Sequence, residues 1–253
     1  MSATPPSGNA LSFVRARLTW GARYGLGLTL AVVATFAALW VFVEMEDAFT
    51  DAGGIAEIDR AVMGAMQAVV SDSLTPWVVR LTDTGSTVAF TVLVVLVALA
   101  LLFARRWWEA LQLVVASGVG GFVVLGLKAT FERPRPAEQV IQATGFSFPS
   151  GHSFAAMVFY GTVLTIVWQI TDRTLWRVLA AVLCPLAIAA IGASRLYLNV
   201  HYVTDVVAGF ASGLVWLTAV YLVVDGVEHR RKRSEQAAQN VAQNTDEQPR
   251  EVA

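Results

Sequence analysis

Three short polar clusters stand out in a chain that is otherwise strongly apolar. They read KATFERPRP at residues 128–136, PSGH at residues 149–152 and SRLYLNVHYVTD at residues 194–205. Each cluster lies at the end of a long apolar run, and the alternation of these runs places all three on the same side. Taken singly, each has an ordinary explanation: a cation that reaches towards lipid headgroups, a helix start, or a satisfied polar pair.

His201 and Asp205 are the candidates for a catalytic pair. They are four residues apart, so on a helix they would share a face. A carboxylate in that position holds the imidazole in one tautomer and stabilises the cation that forms when the imidazole reacts. This arrangement makes His201 a directed nucleophile. In the second cluster, His152 lies on the first turn of an apolar helix, where it is placed to protonate a leaving oxygen.

The other polar residues of the clusters suit a phosphate group. Arg135 and Arg195 carry planar, permanently charged forks that match phosphate oxygens, and Lys128 adds a point charge. These cations would neutralise the charge of a transferring phosphoryl group. Gly151 lets the backbone approach the anion, the free N–H groups of the helix start point towards it, and Ser150 adds a hydroxyl. The sequence shows no competing carboxylate cluster, HExxH motif or Cys/His array, so we expect neither a metal nor another cofactor.

Together the clusters resemble the signature of the type 2 phosphatidic acid phosphatase family, whose superfamily also includes vanadium-dependent haloperoxidases and glucose-6-phosphatase. The signature is K-x6-RP, then PSGH, then SR-x5-H-x3-D. The chain matches it at Lys128, Arg135–Pro136, Pro149–His152, Ser194–Arg195, His201 and Asp205. Arg133 begins a competing Arg-Pro pair, but only Arg135 satisfies the spacing. The resemblance covers about residues 59–213.

The resemblance implies an integral membrane enzyme that forms a phosphohistidine on His201, assisted by Asp205. His152 would protonate the leaving group and later activate water. The phosphate would be bound, without a metal, by Lys128, Arg135, Ser150, Gly151, Ser194 and Arg195. Bacterial members with catalytic loops outside the cytoplasmic membrane remove phosphate from phosphatidic acid, phosphatidylglycerophosphate or undecaprenyl pyrophosphate. The expected partner is therefore a membrane lipid phosphate, although the sequence specifies neither which lipid nor the oligomeric state.

Two other functions fit part of this pattern. The same residues would transfer a phosphoryl group to another lipid if an alcohol replaced water. A non-catalytic lipid-binding or transport protein would also be apolar and helical, but a decayed site should have lost some motif residues, and none is missing. The net charge of −1, with basic residues spread along the chain, argues against a nucleic-acid partner.

The composition indicates that the bilayer is the solvent of this chain, because 56% of its 253 residues are hydrophobic and only 15% are charged. We predict an all-α bundle of six membrane spans. The predicted spans are about Tyr24–Val43, Val88–Ala104, Ala110–Leu127, Ser153–Ile170, Leu175–Ile191 and Val206–Val224. We assign residues 1–23 to an N-terminal segment, 24–229 to the six-span domain, and 230–253 to a tail that is basic and then disordered.

The distribution of Lys and Arg predicts the orientation of the bundle. Cations concentrate in segments 15–23, 105–106, 173–177 and 230–233, which places both termini on the cytoplasmic side of a bacterial inner membrane. The polar clusters then face outside, where the positive-inside rule does not favour their cations. We therefore expect these cations to have a chemical role.

In the first outer loop, residues 55–70 show apolar side chains at helical spacing. This pattern predicts an amphipathic helix at the outer membrane surface or, equally, a short helix packed over the bundle.

Overall fold

The computed structural model describes residues 26–50 and 54–247. Its helices are α1 (Leu26–Thr50), α2 (Gly54–Val69), α3 (Thr75–Asp83), α4 (Thr87–Phe103), α5 (Trp107–Phe131), α6 (Gly151–Ile170), α7 (Thr174–Tyr197) and α8 (Val203–Glu247). Every regular element among these residues is a helix, so the predicted all-α class is confirmed. The predicted segment 1–23 lies outside the described residues.

Four of the described helices are individually long and apolar enough to cross a membrane: α5, α6, α7 and the part of α8 up to Asn240. The helices α3 and α4 pass the same test as a pair that bends by 47° at its break, which would give a fifth crossing. The helix α1 is not among those that qualify, so the sixth span remains a prediction. The helices that qualify singly begin and end within a few residues of the predicted spans, except at the C-terminal ends of α7 and α8.

Large apolar side chains cover the outer surface of the bundle. Phe103 is 87% exposed, Phe122 is 76% exposed and Val88 is 75% exposed. Water would disfavour an apolar surface of this extent, whereas lipid chains solvate such side chains as well as a protein core does. The chain is therefore an integral membrane protein.

The central helix of the bundle is α6, which packs against α5, α7 and α8. On one face, Phe159 belongs to a buried cluster with Leu113 of α5 and Ile191 of α7. On the other face, Phe154 packs in a cluster that includes Val220 of α8. Because close packing on two faces holds α6 in place, the position of its N-terminus is fixed.

The polar clusters meet at one end of the bundle. The C-terminal ends of α5 and α7 lie there beside the N-terminal ends of α6 and α8, and the loop 132–150 joins α5 to α6. The helix α2 packs over this end against α7 and α8, and its Asp59 is only 3% exposed. Of the two predictions for residues 55–70, the structure therefore shows the helix packed over the bundle.

The C-terminal segment differs from the prediction. The helix α8 continues to Glu247, although the sequence predicts disorder over much of 230–253. The segment is rich in Ala, Glu, Gln, Lys and Arg, which are good helix formers. In addition, Arg231 donates a hydrogen bond of 2.8 Å to Glu235 one turn later. Residues 248–253 lie outside the described part of the chain.

Gly209 allows α8 to touch the start of α6. A Cβ atom at this position would lie 2.6 Å from the carbonyl oxygen of Ser150 and 2.8 Å from the Cβ of Ser153. Both distances are too short for unbonded atoms, so the two helices can meet here only when residue 209 has no side chain. A Cβ atom at Gly226, on the same helix, would meet nothing within 4 Å.

We expect Gly209→Ala to destabilise the protein by about 1–3 kcal/mol, because α8 must move away from a backbone carbonyl that cannot yield. The control Gly226→Ala adds the same methyl group without a clash and improves helix propensity, so its unfolding midpoint should stay or rise. Thermal unfolding of the detergent-solubilised variants measures both effects. Equal midpoints for the two variants would show that the contact between α6 and α8 is loose.

Candidate active site

His201 lies in the turn between α7 and α8 and is 2% exposed. Its Nδ1 atom is 3.3 Å from Oδ2 of Asp205, which is fully buried in the first turn of α8. The pair therefore meets as predicted, although His201 precedes the helix instead of sharing a helical face with Asp205. The Ser147 hydroxyl donates to the same carboxylate oxygen, and the Tyr202 N–H donates to it at 2.9 Å.

The guanidinium of Arg135 determines which nitrogen of His201 is unprotonated. Its Nη1 atom is 3.1 Å from Nε2 of His201. Because a guanidinium can only donate hydrogen bonds, this contact requires an unprotonated Nε2 and leaves the proton on Nδ1, where Asp205 accepts it. The unprotonated nitrogen of the buried imidazole is thus Nε2, whose lone pair accepts a hydrogen bond from Arg135.

Burial keeps His201 neutral. It lowers the pKa of His201 from 6.5 to about 4, because desolvation disfavours the imidazolium. The hydrogen bond and the charge of Asp205 oppose this change, while the positive charges of Arg135 and Arg195 add to it. At neutral pH the imidazole is therefore in the form that can act as a nucleophile.

Backbone carbonyl groups hold Arg135 in place. Its Nε donates to the carbonyl oxygens of Thr144 at 3.2 Å and Gly145 at 3.0 Å, and its Nη1 donates to that of Val200 at 2.7 Å. Burial lowers the pKa of Arg135, and the charge of Asp205 opposes the change. The loop 132–150 thus presents a fixed guanidinium to Nε2 of His201.

Arg195 lies in the last turn of α7 and is 4% exposed. Its Nη1 donates to Oγ1 of Thr82 at 2.8 Å, whereas its Nε is buried without a hydrogen-bond partner in the described structure. A buried cationic donor without an acceptor is costly, which suits a place where an anion binds. The hydroxyl of Ser194 instead donates to the carbonyl of Ile191 at 2.6 Å, so it is directed to its own helix and not into the site.

Lys128 and Ser150 border the site at the ends of α5 and α6. The ammonium of Lys128 donates to the carbonyl oxygens of Phe146 at 2.6 Å and Ser147 at 3.3 Å. Ser150 is the N-cap of α6, and its Oγ accepts hydrogen bonds from the N–H and the hydroxyl of Ser153. In this structure, Lys128 and Ser150 therefore shape the loop and the helix start that surround the site.

Gly151 and His152 open α6 next to these residues. A Cβ atom at Gly151 would lie 3.7 Å from Cε of Lys128, so the helix start and the ammonium stem are in contact distance. The imidazole of His152 packs beside Gly85, where a Cβ atom would lie 3.2 Å from the ring. Gly85 belongs to the bend between α3 and α4, so this bend makes room for His152 beside the site.

Sequence reasoning missed Arg133 and Asp59. Arg133 donates to Asp205 at 2.7 Å and to Asp59 at 3.0 Å. In the sequence pattern, Arg133 only competes with Arg135 for the motif position, and Asp59 lies in the predicted helix of the first outer loop. The only signal was a cation in a short outer connection, where the positive-inside rule does not favour one.

A cavity of about 540 Å³ opens beside the site between α4, α5 and α6. Lys128, Gly151 and His152 line it at the polar end of the bundle, and the other lining residues are mostly apolar. Along α5 the lining runs from Lys128 to Val114, about 21 Å at the rise of an α-helix. Phe122 and other lining side chains are also exposed on the outer surface, so the cavity opens sideways.

A sequence model of the PAP2 superfamily matches residues 109–228, a segment that contains all three polar clusters. Over this segment the chain matches the PAP2 superfamily. Among known proteins, phosphatidylglycerophosphatase B of Bacillus subtilis (strain 168) is 26% identical to it over 201 residues. That alignment covers 79% of this chain and 97% of the relative. The family that the sequence pattern resembles is thereby confirmed.

Two solved structures are similar to this one. One is a transmembrane PAP2 type phosphatidylglycerolphosphate phosphatase from Bacillus subtilis. It superposes with a TM-score of 0.69 at 25% identity. The match covers 78% of this chain and 96% of that structure. Aquifex aeolicus LpxE shares the fold, with a TM-score of 0.52 at 20% identity over 67% of this chain and 96% of its own.

We expect the imidazole of His201 to titrate near pH 4 and not near 6.5. Because the folded-state pKa is lowered, the ring stays neutral throughout the range between these values. An NMR titration of the detergent-solubilised protein with isotope-labelled histidine measures this directly, and His201→Gln assigns the signal by its loss. A midpoint near 6.5 would contradict the buried environment described above.

Proposed function

We propose that this PAP2 protein is a phosphatase that hydrolyses a phosphate monoester or pyrophosphate of a membrane lipid. The observation that carries the proposal is the unprotonated Nε2 of buried His201, which accepts a hydrogen bond from Arg135, with Asp205 on the other nitrogen. Phosphatidylglycerophosphate is the substrate that we favour, because the Bacillus subtilis relative and the similar crystal structure are both phosphatidylglycerophosphate phosphatases. Phosphatidic acid is likewise a phosphate monoester, and undecaprenyl pyrophosphate also ends in a terminal phosphoryl group.

In the first step, Nε2 of His201 attacks the phosphorus atom opposite the lipid oxygen. The new N–P bond forms as the P–O bond breaks, and His152 supplies a proton to the departing oxygen. Asp205 stabilises the positive charge that develops on the imidazole. Arg135 and Arg195 neutralise the charge on the phosphoryl oxygens.

In the second step, a water molecule attacks the phosphohistidine. His152 accepts a proton from this water, the N–P bond breaks, and inorganic phosphate leaves with His201 regenerated. Throughout the cycle the positive charge around the phosphate comes from Arg135, Arg195 and Lys128. We therefore propose that the reaction requires no metal ion.

The apolar cavity between α4, α5 and α6 is the proposed site of the lipid chain. It begins at Lys128 and His152 and continues along apolar helix faces, so a chain in the cavity would hold its phosphate near His201. We place this end of the bundle at the outer face of a bacterial inner membrane, because cations outside the polar clusters concentrate towards the opposite end.

We expect His201→Ala to lose roughly 1,000-fold or more of the phosphate-release rate while it remains folded, because no other group replaces the nucleophile. The assay measures inorganic phosphate released from each of the three lipids in the presence of a chelator. A thermal unfolding midpoint close to that of the unmodified protein is the control for folding. Normal phosphate release by the variant would exclude His201 as the nucleophile. Loss of activity when chelator is added to the unmodified protein would exclude a metal-free reaction.

We expect Gly121→Leu to raise KM for a long-chain lipid about tenfold or more, because the added side chain fills the cavity beside α5. A short-chain, water-soluble phosphate ester should react at nearly the unmodified rate. Gly126→Leu is the matched control, since Gly126 lies on the same helix with open space around it and does not line the cavity. Equal effects of the two variants would exclude this cavity as the chain site.

A further inference from the structure

We propose that Asp59 and Arg133 are positioning residues that hold Asp205, and through it His201, in the reactive arrangement. The inference rests on the proposed function in that His201 is taken as the nucleophile. It assigns a role to α2, which packs over the site from outside the three signature clusters. Neither residue would touch the phosphate.

Arg133 bridges two buried carboxylates. Its Nη1 donates to Oδ1 of Asp205 at 2.7 Å, and its Nη2 donates to Oδ2 of Asp59 at 3.0 Å. The guanidinium also lies over the ring of Tyr202, 4.1 Å from its centroid. A planar guanidinium that donates hydrogen bonds from both terminal nitrogens and stacks on an aromatic ring has little freedom to rotate. The oxygen of Asp205 that does not face His201 is therefore fixed in direction.

Asp59 fixes the first turn of α8, where Asp205 lies. Its Oδ1 accepts a hydrogen bond of 3.0 Å from the backbone N–H of Thr204, and its Oδ2 accepts one of 2.7 Å from the Thr204 hydroxyl. A carboxylate at a helix N-terminus satisfies free N–H groups and interacts well with the helix dipole. In this protein the carboxylate comes from another helix, so α2 sets the position of the residue before Asp205.

Arg133 and Arg135 face the catalytic pair from different sides. Arg135 contacts Nε2 of His201, the atom that would attack phosphorus, whereas Arg133 contacts Asp205 behind the imidazole. The carboxylate of Asp205 lies between these groups. Of the described ionisable groups, Arg133 and His201 face this carboxylate directly, with Arg135 and Lys128 at longer range, and Asp59 faces Arg133 from α2.

The experiment compares Arg133→Gln with Asp59→Asn in phosphate release from phosphatidylglycerophosphate. The two variants change the charge near Asp205 in opposite directions, yet both break the bridge. If the bridge positions the pair, each variant lowers kcat by about 10- to 100-fold with little change in KM. If only the local charge matters, the two variants change kcat in opposite directions, and the proposal is overturned.

Two further variants sharpen the comparison. Glu57→Gln removes an exposed carboxylate from the same helix, two residues from Asp59, and should leave kcat unchanged. The double variant of Arg133 and Asp59 should be no slower than the worse single variant, because both act on one bridge. Additive losses in the double variant would overturn a shared role.

A readout on His201 keeps the test independent of folding losses and of the phosphatase proposal. In the NMR spectrum of the folded protein, the proton on Nδ1 of His201 reports its hydrogen bond to Asp205. We expect its signal to shift or broaden in Asp59→Asn and Arg133→Gln, and to stay in Glu57→Gln. Absence of phosphate release by the unmodified protein would contradict the proposed function but not the positioning role. An unchanged His201 signal in both bridge variants would contradict the positioning role. Arg133→Lys serves as a second variant if Arg133→Gln does not fold.

Discussion

The structure of the site depends on one buried negative charge, the carboxylate of Asp205. A fully buried carboxylate is costly unless hydrogen bonds and cations surround it. Here both oxygens are engaged, one by Arg133 and the other by His201, Ser147 and the backbone N–H of Tyr202. These partners come from the loop 132–150 and the turn before α8, so the satisfaction of this charge brings the polar end of the bundle together.

Three arginines surround the His201–Asp205 pair, and each has a different electrostatic role. Arg133 neutralises the carboxylate behind the imidazole, and Arg135 stands in front of it, at Nε2. Arg195 is held from one side by Thr82 and keeps its Nε without a partner in the described structure. The arrangement places cations on both sides of His201, which favours a neutral imidazole in the resting site. The same cations in front of it suit an incoming phosphate.

Much of this arrangement follows from the sequence, and the rest does not. Fixed spacings within short segments predicted the meeting of His201 with Asp205 and the helix start at Gly151, because local geometry decides both. The bridge to Asp59 could not be predicted, since it joins positions 74 residues apart through a loop without regular structure. The same limit applies to Ser194, whose motif position does not show that its hydroxyl turns to its own helix. The helical periodicity of residues 55–70 is compatible with two positions of α2, at the membrane surface or packed over the bundle. Only the observed tertiary packing distinguishes them.

The long separations within the charge bridge have a consequence for how the protein is made. Arg133 emerges in the growing chain well after Asp59, and Asp205 emerges 72 positions later still. Until α8 is in place, Arg133 has no contact with Asp205, and the first turn of α8 lacks its hydrogen bonds to Asp59. The bridge therefore cannot form before α8 has been synthesised and packs beneath α2.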